Sequence, residues 1–228
     1  MTLFMGLDLG QAQDYTALSI VEVHPTKKEY RASDYDPIRA IEGLPLSFDV
    51  RHTQRYTLGT SYPSIVEDVV GKIKQLEGTV LAIDHTGVGR PVFDLFERAG
   101  LQPIGITITG GDAVYTEGRQ WKVPKRDVVG VLQVAIQGER LKIAKELEYA
   151  TTLTNELLNF RVKINLKTAH DSYEAWREGV HDDLVLSLVL ALFTATRFYT
   201  LKEQAAILST AQEKLDNEFE GIMRSMAL

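Results

Sequence analysis

The chain has 228 residues, 44% of them hydrophobic, and a formal charge of −6 at pH 7. That is enough apolar material for one sizeable core, and no Pro/Gly/Ser-rich stretch divides it into two comparable units. The longest strongly apolar run, Leu184 to Phe193, is too short to cross a bilayer, and the N-terminus lacks a basic stretch followed by an apolar run and a cleavage site. The expectation is a soluble, unprocessed chain with one domain over 1–200 and an amphipathic helical tail over 201–228. With no cysteine there is no disulfide framework, thiolate metal site or thiol nucleophile, so any metal must use oxygen or imidazole ligands. The negative charge argues mildly against a surface built for non-specific nucleic-acid binding, although how charge is distributed matters more than its sum.

Leu3 to Gly10 reads as a buried strand, and after a polar turn the run Tyr15 to Val23 supplies its hairpin partner. Residues 24 to 46, with three prolines, read as a long connection. Alternation near Phe48, Val50 and His52 predicts a third strand beside the hairpin. Tyr62-Pro63-Ser64 opens a helix carrying Ile65, Val69, Ile73 and Leu76 on one stripe. Val80 to Asp84 is a short strand, Pro91 to Ala99 a helix, and Ile104 to Ile108 the next strand, which makes a βα step. Helices are expected over Lys125 to Gly138 and Glu146 to Phe160, then a strand over Arg161 to Ile164. Asp182 and Asp183 open a nearly all-apolar helix that must be buried, and the tail from Lys202 to Leu228 carries one apolar stripe.

Three places put acids where cores are normally made. Asp8 lies inside an apolar strand, Asp84 ends another, and Asp182-Asp183 begin a helix that is apolar around its circumference. A buried carboxylate must find a cation or several donors, or stay protonated. Each has an ordinary alternative: a strand or turn acid for Asp8, a turn before Gly87-Val88-Gly89 for Asp84, and a helix cap for Asp182. Asp183 is harder to explain so, because at helical spacing it shares a face with Ser187 and Ala191, small residues that permit close approach to a sheet. If these segments meet, the acids repel one another unless divalent cations join them. An all-oxygen ligand set suits two Mg²⁺ or Mn²⁺ ions of the kind that hydrolyse phosphodiesters.

In order along the chain, Gly6-Leu7-Asp8-Leu9-Gly10 with Asp14-Tyr15-Thr16-Ala17, then Ala82-Ile83-Asp84-His85-Thr86-Gly87-Val88-Gly89, Val123-Pro124-Lys125-Arg126-Asp127 and His181-Asp182-Asp183-Leu184 resemble the nuclease domain of tailed-phage large terminases. The resemblance spans about Leu3 to Phe198. It implies a ribonuclease H-like mixed sheet flanked by helices and a metal-dependent endonuclease that cuts concatemeric viral DNA during genome packaging. It also implies metal ligands at Asp8, Asp84 and the Asp182-Asp183 pair, with Asp183 preferred within that pair, and a supporting acid at Asp14, for which a turn-capping role competes. Double-stranded DNA is the implied substrate. In a full-length relative the partners are an ATPase domain, portal and small terminase subunit, at work in the host cytoplasm. No G-x-x-x-x-G-K-[ST] pattern occurs, since Gly71-Lys72 is followed by Ile73. The chain therefore reads as an excised nuclease domain or a stand-alone relative, without ATP-driven translocation.

Arg90, Arg119, Lys122, Lys125 and Arg126 are candidate contacts for the DNA backbone, against the alternative of a solvated basic face. Lone histidines such as His85 and His181 are left out of the site. Competing functions are another ribonuclease H-like enzyme such as a junction resolvase, and a small actin-like kinase suggested by Gly6 to Gly10 and Ile108-Thr109-Gly110-Gly111. A non-enzymatic docking module built on the tail is the third. The kinase reading leaves Asp182-Asp183 unexplained.

Overall fold

Strands with both faces covered can be apolar throughout, and Phe4, Met5 and Leu7, all fully buried, show that the first strand is of this kind. The computed structural model describes residues 2–10, 14–25, 46–165 and 182–199. Within them the strands are β1 (Thr2–Asp8), β2 (Ala17–Pro25), β3 (Leu46–Arg55), β4 (Val80–Asp84), β5 (Ile104–Thr109), β6 (Tyr115–Glu117), β7 (Gln120–Pro124) and β8 (Leu141–Ile143). They form one mixed sheet in the order β6-β7-β5-β4-β1-β2-β3-β8. β1 is antiparallel to β2 and β2 to β3, while β1, β4, β5 and β7 run parallel to their neighbours in that series.

The helices are α1 (Tyr62–Gln75), α2 (Gly89–Arg98), α3 (Lys125–Gln137), α4 (Ala150–Asn165) and α5, residues 183–199. They cover the two faces of the sheet. On one face Met5, Leu7, Leu18, Ile20, Leu81 and Ile83 pack against Ile65, Val69, Val92 and Phe96 of α1 and α2. On the other, Phe4, Val21, Ala82, Ile106 and Val123 pack against α3, α4 and α5 through residues such as Val128, Leu153 and Leu188. This is a three-layer α/β/α domain, the mixed sheet flanked by helices expected of a ribonuclease H-like fold. Among the described residues no helix is long and apolar enough to cross a membrane.

Helix α5 lies unusually close to β1. A Cβ added at Gly6 would sit 1.9 Å from the carbonyl oxygen of Ser187 and 2.9 Å from the amide nitrogen of Ala191, so only glycine permits this approach. A hydrogen bond of 2.7 Å between the hydroxyls of Ser19 and Ser187 fixes the same contact from β2. Farther along, Phe4 meets Phe198 with ring centroids 5.6 Å apart. Moving from Phe4 to Gly6 therefore moves from Phe198 to Ser187, and α5 runs antiparallel to β1.

The hairpin, the third strand, α1, the β4-α2-β5 step, α3 and the buried last helix match the elements expected from the sequence. The expected strand over Arg161 to Ile164 is instead the end of α4, which begins at Ala150 rather than Glu146. No Gly or Pro interrupts that segment, so a helix already under way continues through it. The short strands β6, β7 and β8 had no apolar period to reveal them; Tyr115–Glu117 is exposed throughout. Residues 26–45, where most of the long connection falls, and the tail from Lys202 to Leu228 lie outside the described residues, as does His181.

The Gly6 contact makes a direct prediction. Because the obstructing atoms are backbone, Gly6→Ala should destabilise the domain by about 3 kcal/mol, the upper end of ordinary overpacking, as measured by chemical unfolding. Gly71→Ala in α1, where an added Cβ meets nothing within 4 Å, serves as the control and should not destabilise.

Candidate metal centre

Side chains alternate across a strand, so Asp8 shares its face with Phe4 and Gly6, and Asp84 shares its face with Ala82. Both faces look toward α5, because Phe4 and Ala82 belong to the core on that side. β1 and β4 are adjacent and parallel, with Gly6 opposite Ala82 and Leu7 opposite Ile83. One further step along both strands brings Asp8 beside Asp84 at their C-terminal ends. Both are buried, at 2% and 3% exposure.

Asp183 comes to the same place from the helix. From Gly6 to Asp8 the strand advances about 7 Å, and from Ser187 back to Asp183 the helix retreats about 6 Å in the same direction. The Gly6–Ser187 contact thus carries Asp183, one turn earlier on the same helical face, to the end of β1. Asp183 is 6% exposed and Asp182 7%.

The start of α5 is capped in an unexpected way. The backbone carbonyl of Asp182 accepts from Leu186 at 2.9 Å, which makes Asp182 the N-cap residue. The amides of Leu184 and Val185, which an N-cap side chain ordinarily takes, donate instead to Oε2 of Glu156 on α4, at 3.1 and 3.2 Å. A distant glutamate therefore shares in the capping considered for Asp182.

Arg55, at the end of β3, joins the two acids. Its guanidinium donates to Oε1 of Glu156 and, at 3.3 Å, to Oδ2 of Asp183, and it lies 4.8 Å from the centre of the Tyr15 ring. Burial pushes the Glu156 carboxyl up to about 7, reinforced by the charge of Asp183 and opposed by Arg55 and the two amides. Neither residue was singled out from the sequence. Glu156 was nevertheless visible as an acid on the stripe of Leu153 and Phe160, both buried against the sheet. Arg55 gives no such signal.

Asp84 also makes the turn considered as its alternative: Oδ1 accepts from the Thr86 amide at 2.9 Å. A Cβ on Gly89 would lie 2.0 Å from the Asp84 carbonyl oxygen, so glycine is needed to fold this loop back into α2. One amide occupies a fraction of a carboxylate's acceptor sites, so the turn does not exclude a ligand role. His85, next in sequence, is buried and stacks edge-on against Phe93 with centroids 5.1 Å apart. Burial and Arg90 hold its pKa below the usual value, against the pull of Asp84 and Asp94.

The remaining predicted residues fall in three places. Asp14 is exposed on the β1–β2 loop, where it lines a cleft of about 200 Å³ with Thr16 and Tyr62. Arg90 is exposed in the first turn of α2, just beyond Asp84, and Lys125 opens α3 at the C-terminal end of β7, the edge to which Asp8 and Asp84 also run. Lys122 points to the face opposite the aspartates, since its neighbours Trp121 and Val123 pack on the α5 side. Arg119 bonds Glu97 of α2 at 2.6 Å, also on that opposite side. Arg126 is exposed and pairs with Asp112 at 3.0 Å.

No protein-family model matches the sequence, and no curated protein matches it either. Solved structures do. The large terminase nuclease from the thermophilic phage G20c superposes with a TM-score of 0.51 at 19% identity, covering 83% of this chain and 80% of that one. The fold is that of a large terminase nuclease. The G20c nuclease with bound zinc gives 0.47 at 16%, covering 83% and 79%, and the manganese-soaked human cytomegalovirus terminase nuclease domain 0.46 at 12%, covering 83% and 81%.

The pKa of Glu156 gives a test of this arrangement in the metal-free protein. Folded Glu156 keeps its proton to about pH 7, whereas an ordinary glutamate loses it near 4.5. The folded state therefore binds the extra proton between these values, and the stability this group contributes is lost as pH rises from about 4.5 to 7. Unfolding free energies measured across that window should decline for the native chain. For Glu156→Gln the decline should flatten.

Proposed function

We propose that the chain is a divalent-metal-dependent endodeoxyribonuclease, acting as the nuclease part of a viral large terminase that cuts concatemeric DNA during packaging. The observation that carries this reading is the placement of Asp8 and Asp84 side by side on adjacent parallel strands, buried on the face where α5 brings Asp183. Two ionised carboxylates on strands about 4.8 Å apart repel by on the order of 3 kcal/mol at an effective dielectric constant of about 20, and Asp183 adds a third charge. Burial of such a group serves function better than stability.

The donor set fits hard cations: it is all carboxylate oxygen, with no thiolate or imidazole supplied by the predicted ligands. Asp8, Asp84 and Asp183 would hold Mg²⁺ or Mn²⁺, two ions in the reading preferred here, with Asp182 at hand beside Asp183. When bound, such ions supply Lewis-acid activation of water and of the phosphodiester. The protein's own contribution is to hold the acids in place. Glu156 caps α5 and Arg55 ties Asp183 to Glu156, so the ligand-bearing turn is fixed before metal arrives. Arg55 also neutralises part of the acid cluster.

Arg90 and Lys125 are the basic residues whose placement best suits contact with a DNA backbone at this edge. Arg119 and Arg126 are engaged in ion pairs, and Lys122 faces the other way, so these three are assigned a lesser part in binding. Asp14 lies on the exposed loop following β1 and is assigned a supporting role.

Plasmid digestion across a metal series tests this reading. The native chain should nick and linearise DNA with Mn²⁺ or Mg²⁺ and be inert with chelator. Asp8→Asn, Asp84→Asn and Asp183→Asn should each lower cutting by at least about 100-fold while the metal-free fold persists, with stability unchanged or raised as repulsion is lost. Undiminished cutting by any of the three variants would remove that residue from the site. Retention by all three would overturn the proposal.

A further inference from the structure

At the other end of the same ladder from Asp8 lies a second group of ligand-type side chains. We infer that Glu22, His24 and Asp49 form a separate site for a single zinc-class ion. Glu22 faces Asp49 directly across the β2–β3 pair, and His24 follows two residues later, so all three project from one face of the sheet. In the β1–β2 register Glu22 stands opposite Leu3, whereas Ala17 stands opposite Asp8. Five strand residues, about 17 Å, separate this group from the aspartates, and it lies on the opposite face. The inference does not depend on the nuclease reading.

The spacing suits ligand atoms gathered around a single ion. His24 Nε2 lies 3.4 Å from Asp49 Oδ2 and 3.6 Å from Glu22 Oε1, and one ligand atom from each of the three side chains lies within 4.8 Å of the others. Bonds of about 2.0–2.2 Å to a tetrahedral ion place neighbouring ligand atoms about 3.3–3.6 Å apart. Glu22 is 3% exposed, and its Oε1 is enclosed with no hydrogen-bond partner among the described residues; Asp49 Oδ1 is in the same condition. A buried carboxylate oxygen without a donor is costly, and a cation beside His24 would satisfy Glu22 Oε1.

Arg51 completes the arrangement. The β2–β3 register shifts so that His52 faces Ile20 while Val50 faces Val21, which makes Arg51 the extra residue of a bulge. The bulge turns its guanidinium onto Glu22 Oε2 at 2.7 Å, leaving Oε1 toward His24, and onto Asp49 Oδ2 at 3.0 Å, the oxygen that His24 also approaches. A donor that holds one oxygen of a ligating carboxylate and leaves the other to the metal, as Arg51 would for Glu22, is the usual second layer of such sites. One imidazole with two carboxylates favours Zn²⁺ over Mg²⁺, and the His24 side chain, 43% exposed, leaves the site open to entry. An ion here would cross-link β2 and β3.

Equilibrium dialysis of Zn²⁺ against the full chain carrying Asp8→Asn and Asp183→Asn tests the site without interference from the aspartates. That protein should retain one equivalent of Zn²⁺ and melt at higher temperature with it. Adding His24→Ala should weaken retention at least about 10-fold and abolish the thermal shift, with the circular dichroism spectrum unchanged; Asp49→Asn is the second variant. In the otherwise native chain, His24→Ala should leave plasmid cutting intact, so loss of zinc and loss of nuclease activity are read separately. Equal zinc retention with and without His24, or none in the starting protein, would show that these residues form only an ion-pair network.

Discussion

A helix rests directly on a strand where Gly6 meets the backbone of Ser187 and Ala191, and the geometry of the acidic centre depends on that contact. Sheet and helix ordinarily keep a side chain's thickness between them. Here the absence of a Cβ lets α5 come down onto β1, and the antiparallel course of the two elements then delivers Asp183 to the strand end where Asp8 stands. The apolar circumference of α5 follows from the same placement: Leu184, Val185, Leu188, Val189 and Leu192 are all fully buried because the helix is enclosed on every side. Burial of that extent tolerates ionisable groups only at the helix start, where the backbone amides are still exposed as donors.

The electrostatics of the centre are balanced in part by the chain itself. Arg55 reaches in from β3 and Glu156 from α4, and between them they connect two elements to the first turn of α5. Glu156 adds a further carboxyl to an already acidic region, and its two amide donors and Arg55 offset only part of the added charge. Its raised pKa shows that burial and the neighbouring Asp183 outweigh them. A buried ionic network of this kind contributes little net stability but specifies one arrangement strongly, since removal of either partner leaves a charge stranded.

Much of this was legible in the sequence because the signals were violations of ordinary burial. Asp8 and Asp84 stand out as acids in apolar strands, and Asp183 as an acid sharing a helical face with Ser187 and Ala191; the structure buries all three. The final helix was evident from its apolar run, whereas the adjacency of β1 and β4 stood only as a condition in the sequence, since no local pattern fixes which strands pair. Glu156 was readable from its stripe but overlooked, since a lone acid in an ordinary helix is usually solvated. Arg55 depends on a pairing over 128 residues of sequence separation, which no local pattern encodes. The basic residues fared differently: composition and proximity in sequence cannot say which side of a strand a lysine leaves, and Lys122 leaves on the far side. Strands as short and exposed as β6 carry no period to detect.

The hydroxyl pair of Ser19 and Ser187 has a consequence beyond the one bond it makes. A smooth apolar cylinder seated on a sheet can roll about its long axis with little change in contact area, and each residue of roll turns the helix through about 100°. A directional bond between two buried oxygens resists that motion, acting as a keyway that sets the angular position of the whole rod. Because Asp183 stands one turn from Ser187, its bearing toward β1 is set by a pair of oxygens that carry no charge and take no part in the chemistry.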